Sequence, residues 1–174
     1  MQSLEVASKS KDHLITIDLS KFIPSSEVIK SIDLAEWLFK GLLLKEKDFR
    51  AAVKAHDWEQ YVEAYVHVFC STDAIIAPWA YMLVATQLKA HCKLMVYGTE
   101  DILIKTAIKE SINSLDIDSY TNQTVLVKGC GDKRISHEFY MLLTEKLYGV
   151  VRRLHYGEAC SFVPVYKKSV SKAQ

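Results

Sequence analysis

From Tyr65 onward the chain repeats one pattern, a short apolar run rich in β-branched residues followed by a segment of helical character. The runs are Tyr65 to Cys70, Lys93 to Tyr97 and Thr124 to Lys128. Strand-like runs separated by helix-length segments are typical of βαβ units, in which a crossover helix joins parallel strands. The pattern therefore predicts an α/β fold with a mostly parallel sheet and βαβ units from about residue 65.

The first part of the chain indicates one strand followed by two helices. Leu14 to Leu19 is rich in β-branched residues and predicts a strand. Asp33 is a residue type that caps helices, and Gly41 suits the left-handed end of a short helix. Lys45 to Ala55 predicts a second helix. We expect this strand and these helices to pack on the parallel sheet, which gives a three-layer α/β architecture.

The later part of the chain adds two helix starts and two further strands. Pro78 and Ser136 are each placed to begin a helix, since proline fits the first turn and serine is a common cap. Val151 to Tyr156 predicts a further strand. Phe162 to Tyr166 predicts an edge strand, because Pro164 lacks the N–H that a central strand would need.

Length and charge favour one ordinary globular domain. The chain has 174 residues, so we predict a single domain over residues 1–174, with residues 1–12 and 168–174 as flexible ends. The 22 basic and 21 acidic residues give a formal net charge of +1. This balance excludes a protein that attracts nucleic acid or an anionic membrane through its overall charge.

No segment indicates export or membrane insertion. Met1 to Lys11 is polar and lacks the apolar stretch of a signal peptide. The longest apolar run, Ala74 to Ala85, has 12 residues, and a membrane-spanning helix needs about 20. We therefore predict a cytoplasmic protein that does not bind membranes and whose cysteines are thiols or ligands rather than disulfides.

Three of the four cysteines follow predicted parallel strands at the same end. They are Cys70, Cys130 and Cys160, whereas Cys92 comes before its strand. In parallel α/β sheets, ligands bind beyond the carboxyl ends of the strands. The placement predicts that the three thiols share one site at the carboxyl edge of the sheet.

A site with several thiolates suits zinc or an iron–sulfur cluster, because soft metals prefer sulfur ligands and helix N-termini favour the thiolate. His137, in the first turn of the last helix, is a candidate fourth ligand. Asp73, Asp132 and Glu158 are others. The residues leave open an alternative in which the cysteines simply pack in the core, where free cysteine is common.

The same loops also suit a small anionic ligand or a thiol enzyme, because glycines near helix N-termini let the backbone approach an anion closely. The candidate binding residues are Ser71, Asp73, Gly129, Gly131, Asp132, Glu158 and Ser161. No dinucleotide-binding or P-loop pattern occurs, and no residue is assigned a catalytic role. A third alternative is an interaction module that uses the charged segment Trp37 to Arg50 against a partner protein.

Several blocks of the sequence are characteristic together. They are Trp37 to Arg50, His56 to Trp58, Phe69 to Ala74, Pro78 to Leu83, Lys128 to Cys130 and Tyr156 to Ser161. With these blocks the chain resembles, from about Leu14 to Lys167, a bacterial family known as domain of unknown function 2480. The family has no assigned activity, so the resemblance implies no reaction.

The resemblance has implications for which cysteines belong to the family blocks and for which partner proteins are expected. It implies that Cys70, Cys130 and Cys160 belong to the recognisable blocks and that Cys92 does not. It also implies an association with iron–sulfur assembly, so that iron–sulfur assembly proteins are the expected partners. The oligomeric state is not predicted.

Overall fold

The computed structural model describes residues 14–129, 131–158 and 161–169. Its strands are β1 (Leu14–Asp18), β2 (Ile29–Asp33), β3 (Tyr65–Phe69), β4 (Leu94–Tyr97), β5 (Thr124–Lys128), β6 (Arg153–Glu158) and β7 (Ser161–Lys167). Its α-helices are α1 (Glu46–Ala55), α2 (Pro78–Leu88), α3 (Glu100–Asn113) and α4 (His137–Leu147). Helices alternate with strands that are mostly parallel, so the predicted three-layer α/β fold is confirmed.

The chain divides into two compact units. We call residues 21–111 the central unit. The terminal unit takes its described residues from 14–20, 112–129, 131–158 and 161–169. That residues 1–174 form one domain stays a prediction. Of the predicted flexible ends, residues 1–12 and 170–174 lie outside the described residues.

The terminal unit is built on a four-stranded sheet in the order β1-β5-β6-β7. Strands β1, β5 and β6 are parallel, and β7 pairs with β6 in the antiparallel sense. Asp18 pairs with Lys128, so β1 and β5 end together at the carboxyl edge. Val125, Leu126 and Val127 of β5 are all buried, as is typical of a strand that is covered on both faces.

The central unit is built on a three-stranded parallel sheet in the order β2-β3-β4. Helix α2 joins β3 to β4 and begins with Pro78 at its first turn, as predicted. The core of the central unit contains Phe49 and Val53 from α1, Val66 and Val68 from β3, and Leu88 from α2. Trp58 and Tyr61 add aromatic area to that core, so the sheet and both helices pack around one cluster.

The predicted strands do not belong to one sheet. Strands β3 and β4 lie in the three-stranded sheet, whereas β5 and β6 lie in the four-stranded one. The expectation that Cys70, Cys130 and Cys160 follow strands of a single sheet is therefore wrong. The alternation of apolar runs with helical segments identifies the strands but not which strands pair. Paired residues are distant in sequence, as Leu14 and Thr124 are.

The local signals are mostly confirmed. The Asp33 carboxylate accepts a hydrogen bond from the Ala35 backbone N–H at 3.0 Å, as a cap does. The helix that it caps is a 3₁₀ turn, Leu34–Trp37, which ends at Trp37. Gly41 has the predicted left-handed conformation, with φ +70°, but it does not end that helix, so this part of the prediction is wrong. Strand β2 is not predicted, because Ile29–Asp33 has Lys30 and Ser31 at its centre and lacks a strict apolar alternation.

Candidate functional site

A groove of about 580 Å³ runs between α4 and the strands β5, β6 and β7 of the terminal unit. We call it the α4 groove. Its lining residues are Val127, His137, Tyr140, Met141, Thr144, Leu154, His155, Tyr156 and Val165. The size and the largely apolar lining are typical of sites for small organic molecules.

One side of the groove is a stripe along α4. His137, Tyr140, Met141 and Thr144 have helical spacing and so lie on one face. The buried residues Phe139, Leu143 and Leu147 occupy another face. Helix α4 therefore has a face in the core and a second, partly apolar face that borders the groove. Met141 on that second face is 74% exposed.

The other side of the groove comes from the strands. Leu154 pairs with Tyr166 and His155 with Pro164, so Val165 is an extra residue in β7 at this register shift. Such a β-bulge changes the direction of nearby side chains. Val165, the extra residue, is itself part of the groove lining, together with Leu154, His155 and Tyr156 of β6.

The notable polar atom of the groove is Nδ1 of His155. It is buried and has no hydrogen-bond partner among the described residues. The imidazole ring contacts the Phe162 ring edge-on, with centroids 4.7 Å apart. A buried polar group without a partner costs about 1–3 kcal/mol. Because this nitrogen is buried, a ligand in the groove would reach it and remove that cost only if the imidazole ring turned.

Two tyrosines form an aromatic corner beside the groove. The rings of Tyr140 and Tyr156 meet edge-to-face with centroids 5.5 Å apart. The hydroxyl of Tyr140 also lies near Gly129, where an added Cβ would be 3.2 Å from the oxygen. Gly129 has φ +146° and only glycine fits there without strain. This close approach brings the tyrosine hydroxyl to the loop after β5.

At the carboxyl ends of the strands lies a small polar pocket of about 120 Å³. We call its residues the strand-end cluster: Asp18, Ser20, Lys128, Gly129, Asp132 and Glu158. The Lys128 ammonium lies 3.4 Å from the Asp18 carboxylate and 3.7 Å from that of Glu158. These ion pairs raise the pKa of Lys128, mainly through Asp18. The cluster holds more carboxylates than ammonium groups, so it does not favour an anion.

Two carboxylates of the strand-end cluster are held ionised by their neighbours. The Ser20 hydroxyl donates to Asp18 at 2.6 Å and lowers the pKa of that carboxyl. The Arg134 guanidinium donates to both oxygens of Asp132, at 3.0 and 2.7 Å, and lowers the pKa of Asp132 to about 2. These contacts can neutralise the negative charge of the carboxylates at the strand ends.

The predicted cysteine site is only partly described. Cys70 is half-buried at the end of β3, and its Sγ lies 3.3 Å from the Thr72 hydroxyl. Cys130 and Cys160 lie outside the described residues. Within 14–129, 131–158 and 161–169, no group of three or more His, Cys, Asp or Glu residues is arranged to hold a metal ion. Metal binding by the three cysteines stays a prediction.

Some predicted site residues come together and others do not. Gly129, Asp132 and Glu158 share the strand-end cluster, and His137 lines the α4 groove. In the central unit the Ser71 backbone N–H donates to the Asp33 carboxylate at 3.0 Å. Asp73, Gly131 and Ser161 are exposed in their own units.

Residues of both sites are missing from the sequence-based prediction. In the strand-end cluster these are Asp18, Ser20 and Lys128. Asp18 and Lys128 end their strands, so the rule that placed Glu158 there could have found them. The α4 stripe of His137, Tyr140, Met141 and Thr144 was visible in its spacing. The unpartnered nitrogen of His155 had no sequence signal.

The polar groups of the His56-Asp57-Trp58 block have structural partners. Trp58 is buried and its indole N–H donates to the Val53 carbonyl at 2.9 Å. The Asp57 carboxylate accepts from the Glu59 backbone N–H. His56 Nε2 lies 2.9 Å from the Tyr61 hydroxyl. Each polar group is satisfied locally, so the block stabilises the central unit.

Comparison with known proteins identifies a family and adds no activity. No helix in the described part of the chain is long and apolar enough to cross a membrane. No curated protein and no solved structure matches the chain. One family model, described as protein of unknown function (DUF2480), matches residues 5–168. That match takes in both sheets, the α4 groove and the strand-end cluster, and by it the chain belongs to the DUF2480 family.

Proposed function

We propose that the terminal unit binds a small uncharged molecule in the α4 groove. The observation that carries the proposal is the buried Nδ1 of His155, which has no partner among the described residues, in an otherwise apolar groove of ligand size. Natural structures leave few buried polar atoms unpaired, and the exceptions are often functional.

The chemistry of the lining defines the ligand. Among the residues that the structure describes, no Asp, Glu, Lys or Arg lines the groove, and transfer of a charge into such surroundings is costly. The ligand therefore has a mostly apolar body and one hydrogen-bonding group that faces Nδ1 of His155. The edge-to-face rings of Tyr140 and Tyr156 favour an aromatic or flat body.

A fragment screen by protein-observed NMR tests the proposal, with a library of neutral aromatic fragments as the probe. We expect bound fragments to shift amide signals of α4, β5 and β6. In the Thr144→Phe variant the new ring fills the groove, and affinity should fall by at least about tenfold, or 1.4 kcal/mol. Glu145→Phe places the same ring one residue further along, outside the groove lining, and is the matched control.

Two results would contradict the proposal. One is a screen in which no fragment shifts signals around the groove. The other is binding that is equally strong in wild type and Thr144→Phe. His155→Phe separates the polar contact from the apolar one, because it keeps an aromatic ring but removes Nδ1. Fragments with a hydrogen-bonding group should lose affinity to His155→Phe, whereas purely apolar fragments should not.

The binding of zinc or an iron–sulfur cluster by Cys70, Cys130 and Cys160 remains a separate proposal. Its test is metal and sulfide analysis of anaerobically purified protein, with Cys130→Ala and Cys160→Ala as variants. Metal-free wild-type protein would contradict it. No contact described above tests the predicted partnership with iron–sulfur assembly proteins or the predicted cytoplasmic location. Both stay predictions.

A further inference from the structure

The central unit presents a tight loop with apolar side chains at its surface. We call residues 39–43 the apolar loop. Phe39, Leu42 and Leu43 are 45%, 62% and 55% exposed. Leu38 is buried and Leu44 packs on the core. The loop therefore has buried anchors on each side and holds its own apolar residues in solvent.

The backbone of the apolar loop is fixed. Phe39 N–H donates to the Leu43 carbonyl at 2.9 Å, and Leu43 N–H donates back to Phe39 at 3.1 Å. Lys40 and Gly41 have φ +52° and +70°, in the left-handed region that lysine rarely adopts. The Thr72 hydroxyl donates to the Gly41 carbonyl at 2.7 Å and ties the turn to the loop after β3. Leu42 and Leu43 are thus exposed on a turn whose backbone is ordered.

Cations surround the apolar loop without acidic partners. The Lys45 ammonium lies 3.3 Å from the centre of the Phe39 ring, and that of Lys40 lies 5.6 Å from it. Neither lysine forms an ion pair within the described residues, and the exposed Lys47 nearby forms none either. The surface combines apolar contact area with uncompensated positive charge.

We propose that the apolar loop docks a protein segment that carries apolar side chains next to carboxylates. The leucines supply the apolar contact, and Lys40 and Lys45 complement the acidic groups. The exposed carboxylates of Glu46 and Asp48, just after the loop, favour a polypeptide over an anionic bilayer, because lipid phosphates would repel them. A polypeptide can place its own cations opposite these two carboxylates.

Selection from a random peptide library displayed on phage tests the docking surface with the whole chain as bait. We expect the selected peptides to combine Asp or Glu with large apolar residues. Synthetic copies should bind Leu42→Ser at least about tenfold more weakly than wild type. They should also bind Lys45→Gln more weakly and with a smaller dependence on salt. Val62→Ser is the matched control, since Val62 is 52% exposed and belongs to a different turn.

Three outcomes would overturn the proposal. The first is a selection that yields no acidic apolar peptides. The second is a set of peptides that bind Leu42→Ser as tightly as wild type. The third is sedimentation of the wild type, but not of Leu42→Ser, with phosphatidylglycerol vesicles, which would identify a membrane as the partner. Both variants change exposed side chains, and amide NMR spectra establish that they keep the native fold.

Discussion

In the central unit aromatic rings pack in a buried core, whereas in the terminal unit Tyr140 and Tyr156, which contact each other, border an open groove. Trp37 contacts Phe49, His56 and Trp58 edge-on, with centroids 5.0–6.0 Å apart. A cavity beside Tyr81 has about 140 Å³, against about 580 Å³ for the α4 groove. The aromatic area of one unit is used for cohesion, and that of the other is available to a ligand.

The histidines of the two units show the same difference. In the central unit, His56, His67 and His91 each place a ring nitrogen within hydrogen-bond distance of an oxygen. In the terminal unit, His155 Nδ1 is shielded from solvent and has no partner in the described chain. A satisfied half-buried histidine is a structural residue. An unsatisfied one in a groove is a candidate for recognition.

Truncation of a core ring should have the largest effect. Phe49 is fully buried and contacts both Trp37 and Trp79. Phe49→Ala leaves a cavity, and we expect the free energy of unfolding to fall by about 3–5 kcal/mol. Met141→Ala in the α4 groove should change it by less than about 0.5 kcal/mol, because Met141 is mostly exposed. Urea unfolding measures both, and equal losses would refute the contrast between the units.

Replacement of the two half-buried histidines should act in opposite directions. His155→Phe removes a nitrogen without a partner and should raise the free energy of unfolding by about 1 kcal/mol. His56→Phe removes the partner of the Tyr61 hydroxyl and should lower it by about 1–2 kcal/mol. Urea unfolding of the two variants compares them directly. Destabilisation by both would show that His155 is structural too.

The pH dependence of stability sharpens the comparison for His56. Burial lowers the pKa of His56 below its ordinary value of 6.5. As the pH falls through about 6.5, the unfolded chain binds a proton that the folded chain resists, so the folded state loses stability. The loss continues until the pH reaches the lowered pKa of the folded state. The unfolding free energy of His56→Phe should lack this contribution, which urea titrations between about pH 5 and 8 would measure.

The smallest expected effect lies at the strand ends. Because Arg134 lowers the pKa of Asp132 from 3.8 to about 2, ionised Asp132 stabilises the folded state above the unfolded pKa. Asp132→Asn should therefore be less stable than wild type near neutral pH. The difference should vanish as the pH falls from 3.8 to about 2. Asp73→Asn, at an exposed carboxylate in the central unit, is the matched control and should change the unfolding free energy near neutral pH by less than Asp132→Asn does.

Most elements, though not β2, were predictable from local signals, and their assembly was not. Thr124–Lys128 is a strand as its β-branched run indicates, and Pro78 begins α2. The division into two sheets depends on pairs such as Ile29 with Tyr65, which no local pattern specifies. The α4 groove includes Val165, the extra residue at a register shift beside Leu154, and that shift is a property of two strands together. The candidate site was therefore predictable at the strand ends but not beneath the helix.

The extra residue Val165 also bears on how the protein avoids aggregation. Strand β7 is an edge strand, and Phe162, Val163 and Val165 are 47%, 62% and 52% exposed. A free, apolar edge invites another chain to extend the sheet. The bulge disturbs the regular spacing of backbone groups along that edge, and Pro164 has no N–H to donate. The irregularity that shapes the groove therefore also hinders polymerisation through the sheet.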